Sequence, residues 1–362
     1  MEGAMNDRCC YPSPRTAFWY GWLLLLLLLV GCAAAPAELE RHREAGLAIQ
    51  AVYEEALPEL SMAKRRHYAQ RLYRITGEPR YRKIAHEHGR RLEQQLREDI
   101  EGLADPDHAA VRSRQIVEVY PQRTAKQRAR RAMLAEWGEI AFARQLLFRL
   151  VQADYYGLLG TSAIEDHQRA LDYLAGVAWE HFLTDTDVMA IYAAQVANQV
   201  HFLHQLGIAD LRDEVVAAFR RQYPDGSAAG LDEAEYHNKL YGMTHFVIAS
   251  SRYYQRWVDP QEYAWILDTF AEDIDRILTH ATEDIQAEVA LSFLLAGQEA
   301  HPTVGRIRDS LVAAIDPQAG IIPSTAGSTD LARGEHRNVL AIMVLRWPGR
   351  LYPGPDLSLM GL

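Results

Sequence analysis

Three segments in the C-terminal half of this chain predict α-helices that are apolar on every side. They cover residues 246–249, 289–296 and 339–345, and each follows a polar segment. The stretches between them, such as 260–280 and 302–315, carry charge along one face. Because a helix without a polar face must be covered all round, the pattern predicts inner buried helices wrapped by outer amphipathic ones.

Segments rich in proline and glycine divide the chain beyond residue 39 into about a dozen helices, and strand-type alternation is absent. The polar starts recur loosely, at His237, then 46 residues later at Glu283 and 52 residues later at Glu335. We therefore predict an all-α fold made of helical hairpins. A closed ring and an open superhelical array both fit such a repeat.

Composition restricts the function classes. Apolar residues make up 49% of the 362 residues, enough for a sizeable core, and the net charge of −10 argues against a nucleic-acid partner. Cysteine occurs at positions 9, 10 and 32 alone. The body of the chain therefore has no thiolate ligand or disulfide, and it lacks glycine-rich phosphate loops and the HExxH pattern. We predict no metal and no cofactor.

The N-terminal segment has the pattern of a secretory signal: residues 1–16 are polar and residues 17–30 form an apolar run. The run ends in Leu29-Val30-Gly31-Cys32, which resembles the lipobox of bacterial lipoprotein precursors. The resemblance implies cleavage before Cys32 and lipidation of its thiol. Ala33, in place of an aspartate, implies sorting to the outer membrane.

This interpretation divides the chain into a signal peptide (1–31), a tether (32–38) and one helical domain (39–362). The protein would lie in the bacterial cell envelope, held on the membrane through Cys32 and facing the periplasm. An uncleaved anchor is the alternative, because residues 17–35 are at the lower limit of a bilayer-spanning length.

A second resemblance concerns the body of the chain. Residues 219–226 form a turn and lead to His237-Asn238, and residues 315–320 form a similar turn and lead to His336-Arg337-Asn338. This succession is similar to the α/α-toroid superfamily, a ring of about six helical hairpins. The closest fit is an uncharacterised bacterial domain-of-unknown-function family. The resemblance implies parallel inner helices whose polar N-termini gather on one rim.

One helix brings together a histidine and a tyrosine suited to proton transfer. His237, Tyr241 and His245 stand at i, i+4 and i+8, so they share one face. With a nearby asparagine and arginine, this set resembles toroidal polysaccharide lyases. That resemblance implies Tyr241 or His237 as acid or base. The structural alternative is that His237 caps the helix while Tyr241 and His245 fill core space.

The same resemblance implies that a uronate carboxylate is bound by Arg337 together with Asn238 or Asn338. Arg337 could also form a buried ion pair with Glu335 or Asp284. His336, which precedes it, is a further catalytic candidate.

Asp284 and Glu288 also stand at i, i+4, and close carboxylates in a pocket suit acid–base hydrolysis of a glycosidic bond. Their alternative role is an acidic first turn that interacts with the helix dipole. Elsewhere, the segment 123–131 carries five basic residues. It could be a solvated helix face, a contact with anionic lipid, or a partner for the acidic half of the chain.

Two functions follow from these observations. The first is an envelope enzyme, a lyase or hydrolase, that acts on an acidic or peptide-bearing glycan and brings its candidate residues to one cavity. The second is a non-catalytic binding or scaffold lipoprotein that holds an envelope protein or glycan. In that case a groove would be lined by Tyr253, Tyr254 and Trp257.

Overall fold

The computed structural model describes residues 37–224, 226 and 230–358, except for the side chain of Ala163. The leader and Cys32 lie outside the described residues. Within them, the secondary structure is helical, with no strand and one isolated β-bridge between Asp316 and Ile321. The predicted all-α fold is confirmed.

The α-helices of the described residues are joined mostly by short turns. They are α1 (37–56), α2 (Met62–Thr76), α3 (Arg82–Gly102), α4 (His108–Glu118), α5 (Ala125–Glu136), α6 (Ile140–Tyr155), α7 (His167–Ala175), α8 (Trp179–Thr184), α9 (Thr186–Gln205), α10 (Arg212–Gln222), α11 (Glu233–Ser250), α12 (Ala264–Glu272), α13 (Ile274–His280), α14 (Glu283–Leu295), α15 (Pro302–Ala313) and α16 (Leu331–Leu345). Short 3₁₀ turns lie at Leu57–Glu59, Pro79–Tyr81 and Ser162–Ile164.

The apolar segments identified in the sequence form the buried layer. Every residue from 285 to 295 of α14 is buried, as are 338–345 of α16 and 246–250 of α11. A capping box at the start of α11, formed by Asp232 and Glu235, satisfies the backbone where its polar first turn meets solvent. The prediction of helices covered on all sides is therefore confirmed.

Six helices succeed one another around the centre. Helix α2 contacts α16, α16 contacts α14, α14 contacts α11, α11 contacts α9, and α9 contacts α6. Side chains connect α6 back to α2, since Gln70 donates hydrogen bonds to Gln152 at 3.0 Å and to Tyr156 at 2.6 Å. The arrangement is compatible with the predicted toroid.

Neighbouring inner helices run in the same direction. Tyr241 of α11 meets Asp284 of α14, and one turn further along both helices His245 meets Glu288. Asn238, near the start of α11, contacts the backbone of Met189 near the start of α9. The first turns of α9, α11 and α14 therefore lie at one end of the molecule.

The outer helices cover the backs of the inner ones. Helix α3 packs on α2 and α6, α4 on α6, α10 on α9, and α15 on α14. In the part of the chain that the structure describes, no helix combines the length and the apolar character needed to cross a membrane.

Candidate active site

A buried carboxylate lies between two imidazoles at the centre of the inner layer. The Oε1 atom of Glu288 in α14 is 3.6 Å from Nε2 of His245 in α11 and 3.6 Å from Nε2 of His336 in α16. Its Oε2 atom accepts a hydrogen bond of 2.8 Å from Oγ1 of Thr244. Three consecutive inner helices therefore supply one ionic group.

A second buried carboxylate continues this group onto α2. Oε1 of Glu335 is 2.6 Å from Nδ1 of His67, and Nζ of Lys64 is 3.4 Å from its Oε2. The other ring nitrogen of His67 lies 3.3 Å from Nδ1 of His336. His245, Glu288, His336, His67 and Glu335 thus form a continuous sequence of contacts, which we call the histidine–carboxylate chain.

The imidazoles of this chain are partly exposed, whereas the carboxylates are buried. The side chains of His336, His67 and His245 are 34%, 19% and 16% exposed. Those of Glu288 and Glu335 are 2% and 0% exposed. The charge of Glu288 stabilises the protonated forms of His245 and His336, and the hydrogen bond to Glu335 orients the ring of His67, as the acid does in a catalytic triad.

The two carboxylates have opposite electrostatic environments. Burial acts to raise the pKa of Glu288, but the imidazoles of His245 and His336 outweigh it and hold that pKa below its usual range. Burial raises the pKa of Glu335, although Arg71 and Lys64 act against this. Titratable groups whose pKa values are pushed apart are typical of acid–base sites.

His67 is held in its neutral form. Burial, and next the positive charge of Arg71, lower the pKa of His67 well below its ordinary value. An imidazole that is neutral at neutral pH offers one nitrogen as acceptor and one as donor. It can therefore relay a proton between His336 and Glu335.

Tyr241 and Asp284 lie one helical turn closer to the N-terminal ends of α11 and α14. The hydroxyl of Tyr241 donates to Oδ2 of Asp284 at 2.5 Å, and Thr282 donates to the other carboxylate oxygen at 2.5 Å. Burial, followed by the charges of Asp284 and Glu288, raises the pKa of Tyr241. Tyr241 is therefore a protonated phenol at neutral pH.

The other sequence candidates on α11 make contacts away from this chain. Nε2 of His237 is 2.7 Å from the carbonyl oxygen of His280, at the end of α13. The buried amide of Asn238 donates to the carbonyls of Met189 and Ala190 and to the hydroxyl of Tyr223. Asn238 thereby joins α11 to α9.

The candidates that follow His336 lie outside the chain as well. Asn338 is fully buried, accepts from the backbone N–H of Ile322 and donates to the carbonyls of Ile322 and Gly334. It fixes the loop before α16. Nε of Arg337 lies 3.5 Å from Oε2 of Glu283, and its Nε and Nη1 atoms are buried without a hydrogen bond.

The structure therefore brings together four predicted catalytic residues as two pairs, Tyr241 with Asp284 and Glu288 with His336, and it places His237 elsewhere.

Sequence reasoning missed His67, which lies among basic residues of α2 and has the pattern of a solvated helix face. A signal was present: His67, Arg71 and Arg74 share one face at i, i+4 and i+7.

A turn with strained backbone geometry, at residues 252–254, follows α11 and lies beside His245. Arg252, Tyr253 and Tyr254 have φ values of 53°, 56° and 70°, the left-handed region that L-residues rarely enter. The Tyr253 ring lies 6.4 Å from that of His245 and 5.9 Å from that of Phe202. Such strain persists where the surroundings enforce it, often at functional sites. Of the proposed groove residues, Tyr254 is buried and Trp257 is exposed.

The histidine–carboxylate chain differs from a compact metal site. Among residues 37–224, 226 and 230–358, the ligand atoms close enough together to share one ion belong to Glu38, His42 and Asp309. Arg41 already places a guanidinium nitrogen 2.5 Å from Asp309. This positive charge competes with a cation for that carboxylate.

Comparison with protein families supplies a family for this fold. Residues 42–360 match a family model described as "Domain of unknown function (DUF3541)". The chain belongs to this family. The part that matches the DUF3541 model contains all five residues of the histidine–carboxylate chain. The chain matches no curated protein and no solved structure.

Proposed function

We propose that this chain is an acid–base enzyme of the bacterial cell envelope that cleaves an acidic glycan by elimination. The observation that carries the proposal is the histidine–carboxylate chain: three partly exposed imidazoles, each in contact with a buried carboxylate. Imidazole is the side chain best suited to taking and giving protons near neutral pH.

The burial of the carboxylates favours elimination over hydrolysis. A glycoside hydrolase uses two carboxyl groups that flank the scissile bond, so both must reach the substrate. Here Glu288 is 2% and Glu335 0% exposed, and the groups in front of them are imidazoles. An imidazole can instead remove the proton on the carbon next to a uronate carboxylate.

The steps of such an elimination can be assigned to this site. Nε2 of His336, the most exposed imidazole, takes the proton, and the carboxylate of Glu288, 3.6 Å from that nitrogen, stabilises the resulting imidazolium. The freed electron pair forms the carbon–carbon double bond as the glycosidic carbon–oxygen bond breaks. The protonated phenol of Tyr241 gives its proton to the leaving oxygen, and Asp284 holds the phenol in place.

The envelope location depends on the leader. The segment Leu29-Val30-Gly31-Cys32 ends an apolar run, which supports export and lipid attachment at Cys32. We propose that the lipid holds the enzyme on the outer membrane, facing the periplasm and its glycans. Several acyl chains, at about 0.8 kcal/mol per buried CH₂, suffice for stable attachment.

A substrate panel tests the reaction type. The full-length protein is incubated with polygalacturonate, alginate and hyaluronan, and both the ultraviolet absorbance of unsaturated uronate and the number of new reducing ends are followed. Elimination raises both signals together, and His336→Gln should abolish both. His181→Gln, at an exposed histidine that packs on Trp137, is the matched control and should retain activity.

Other outcomes separate the alternatives. New reducing ends without the absorbance would indicate hydrolysis. Binding without either signal would favour a non-catalytic envelope lipoprotein that holds a glycan.

A further inference from the structure

A tyrosine in α9 lies between two arginines from neighbouring helices. The guanidinium carbon of Arg144 in α6 is 4.3 Å from the ring centre of Tyr192, and that of Arg130 in α5 is 4.8 Å away. The ring is 3% exposed. Helix α9 departs from helical geometry at this residue, with φ −135° and ψ 22°. A local break of this kind in a long helix often marks a functional position.

Arg130 and Arg144 have no anionic partner among the described residues. Across the described ranges, neither Arg130 nor Arg144 forms a hydrogen bond or lies within 4.0 Å of a carboxylate oxygen, and the Nε atoms of both are buried without a partner. Lys126, one turn before Arg130 on α5, is exposed, and its Nζ atom lies 5.6 Å from the ring centre of Tyr241, where the carboxylate of Asp284 attracts it. Because buried polar atoms of a charged group are costly when unpaired, the two arginines indicate an anion supplied from outside.

The arginine pair is continuous with the histidine–carboxylate chain. Tyr192 precedes Asn198 by six residues on α9, a distance of about 9 Å along a helix. The amide oxygen of Asn198 lies 3.0 Å from Nδ1 of His245. The amide oxygens of Gln145 and Gln195, on the same two inner helices, are buried and unpartnered. Unsatisfied polar groups therefore extend from the arginines toward the imidazoles.

We infer that Arg130, Arg144 and Lys126 form a subsite for a carboxylate group of the glycan, on the rim side of the reacting bond. The inference rests on the proposed function for the identity of the ligand. The planar guanidinium fork matches a carboxylate in two parallel hydrogen bonds. Within the basic segment identified in the sequence, Lys126 and Arg130 contact the inner tyrosines, whereas Arg128 donates a hydrogen bond to the carbonyl oxygen of Gln122.

A membrane surface is the competing occupant, and the enclosed geometry argues against it. The Nε atoms of both arginines are buried, and their guanidinium groups lie against a ring that is 3% exposed. Lipid headgroups are attracted by basic side chains that project freely toward the bilayer.

Binding of trigalacturonate and of its methyl ester to the full-length protein tests this subsite. The two ligands differ in their carboxylate charges, so the wild type should bind the acid more tightly. Arg130→Gln and Arg144→Gln should each weaken binding of the acid about tenfold and leave the ester unchanged. Arg128→Gln, on the same helix, removes one positive charge outside the subsite and should leave both dissociation constants unchanged.

Two further measurements separate this inference from the proposed reaction. His336→Gln should retain binding of the acid, so loss of turnover alone leaves the subsite supported. Equal binding of acid and ester by the wild type, or unchanged binding in both arginine variants, would overturn it. So would a loss of binding to anionic phospholipid vesicles in Arg130→Gln and Arg144→Gln that Arg128→Gln does not share, since this would assign the cations to the membrane.

Discussion

The Nε2 atom of His336 lies 3.6 Å from the Oε1 atom of Glu288, on the neighbouring inner helix. The histidine side chain is 34% exposed and the glutamate side chain 2%. The pair therefore combines a proton carrier that reaches solvent with a counter-charge that water does not screen. Because water screens it little, this ionic contact is stronger than one at the surface. We therefore place the proton transfer at His336.

The contact between His67 and Glu335 should act as one unit in catalysis. His67→Gln and Glu335→Gln each remove one side of the 2.6 Å contact. If the carboxylate works only through the imidazole, the double variant should lose no more kcat than the more damaged single variant. Steady-state kinetics of the four proteins measure this, and additive losses would show that the two residues act independently.

Stability should fall in acid because buried histidines are neutral in the folded protein. Burial, followed by Arg212, lowers the pKa of His201 from 6.5 to about 3. The unfolded chain then binds a proton that the folded chain does not, so stability is lost as pH falls below 6.5, by about 1.4 kcal/mol per pH unit per such histidine.

Urea unfolding at several pH values between about 6.5 and 4 measures this effect. His201→Gln should show a shallower decline than the wild type. His181→Gln, at an exposed position, should decline as the wild type does. Parallel curves for all three proteins would contradict the assignment to His201.

The sequence was informative about burial and less so about contacts between distant residues. Segments 289–296 and 339–345 are apolar all round, and burial follows from that pattern alone. Tyr241 and Asp284 were separate candidates because their partnership depends on how α11 and α14 align. His67 was missed because charged neighbours along α2 conceal the face that turns inward. The left-handed turn at Tyr253 has no glycine to indicate it.

The close approach of α11 to α9 and α10 depends on a glycine. A Cβ atom at Gly242 would lie 2.4 Å from the Phe219 ring and 3.0 Å from Cβ of Ala193. Gly242→Ala should therefore lower the free energy of unfolding by about 1–3 kcal/mol, despite the higher helix propensity of alanine.

Gly305 provides the matched control within α15. A Cβ atom there meets nothing within 4 Å, so Gly305→Ala should leave stability unchanged or raise it by up to about 1 kcal/mol. Thermal or urea unfolding compares the two variants. Equal effects at both positions would contradict the packing argument.

Lipid attachment should depend on Cys32. In the native host, Cys32→Ala should abolish labelling by a fatty-acid analogue and leave a precursor of unprocessed size. Cys9→Ala, within the same leader, should be labelled and processed normally. A labelled Cys32→Ala protein of mature size would end the lipoprotein interpretation.

The kcat of Glu288→Gln, measured beside its free energy of unfolding, tests the catalytic role of the histidine–carboxylate chain most directly. Glutamine keeps the size of the side chain and can keep the contact with Thr244, while it removes the buried charge. We predict that kcat falls about 100-fold or more with little change in KM, while the free energy of unfolding falls by about 1–3 kcal/mol and the protein stays folded. Glu233→Gln, in the exposed first turn of α11, should change neither quantity. A Glu288→Gln protein that turns over substrate at the rate of the wild type would contradict the catalytic assignment.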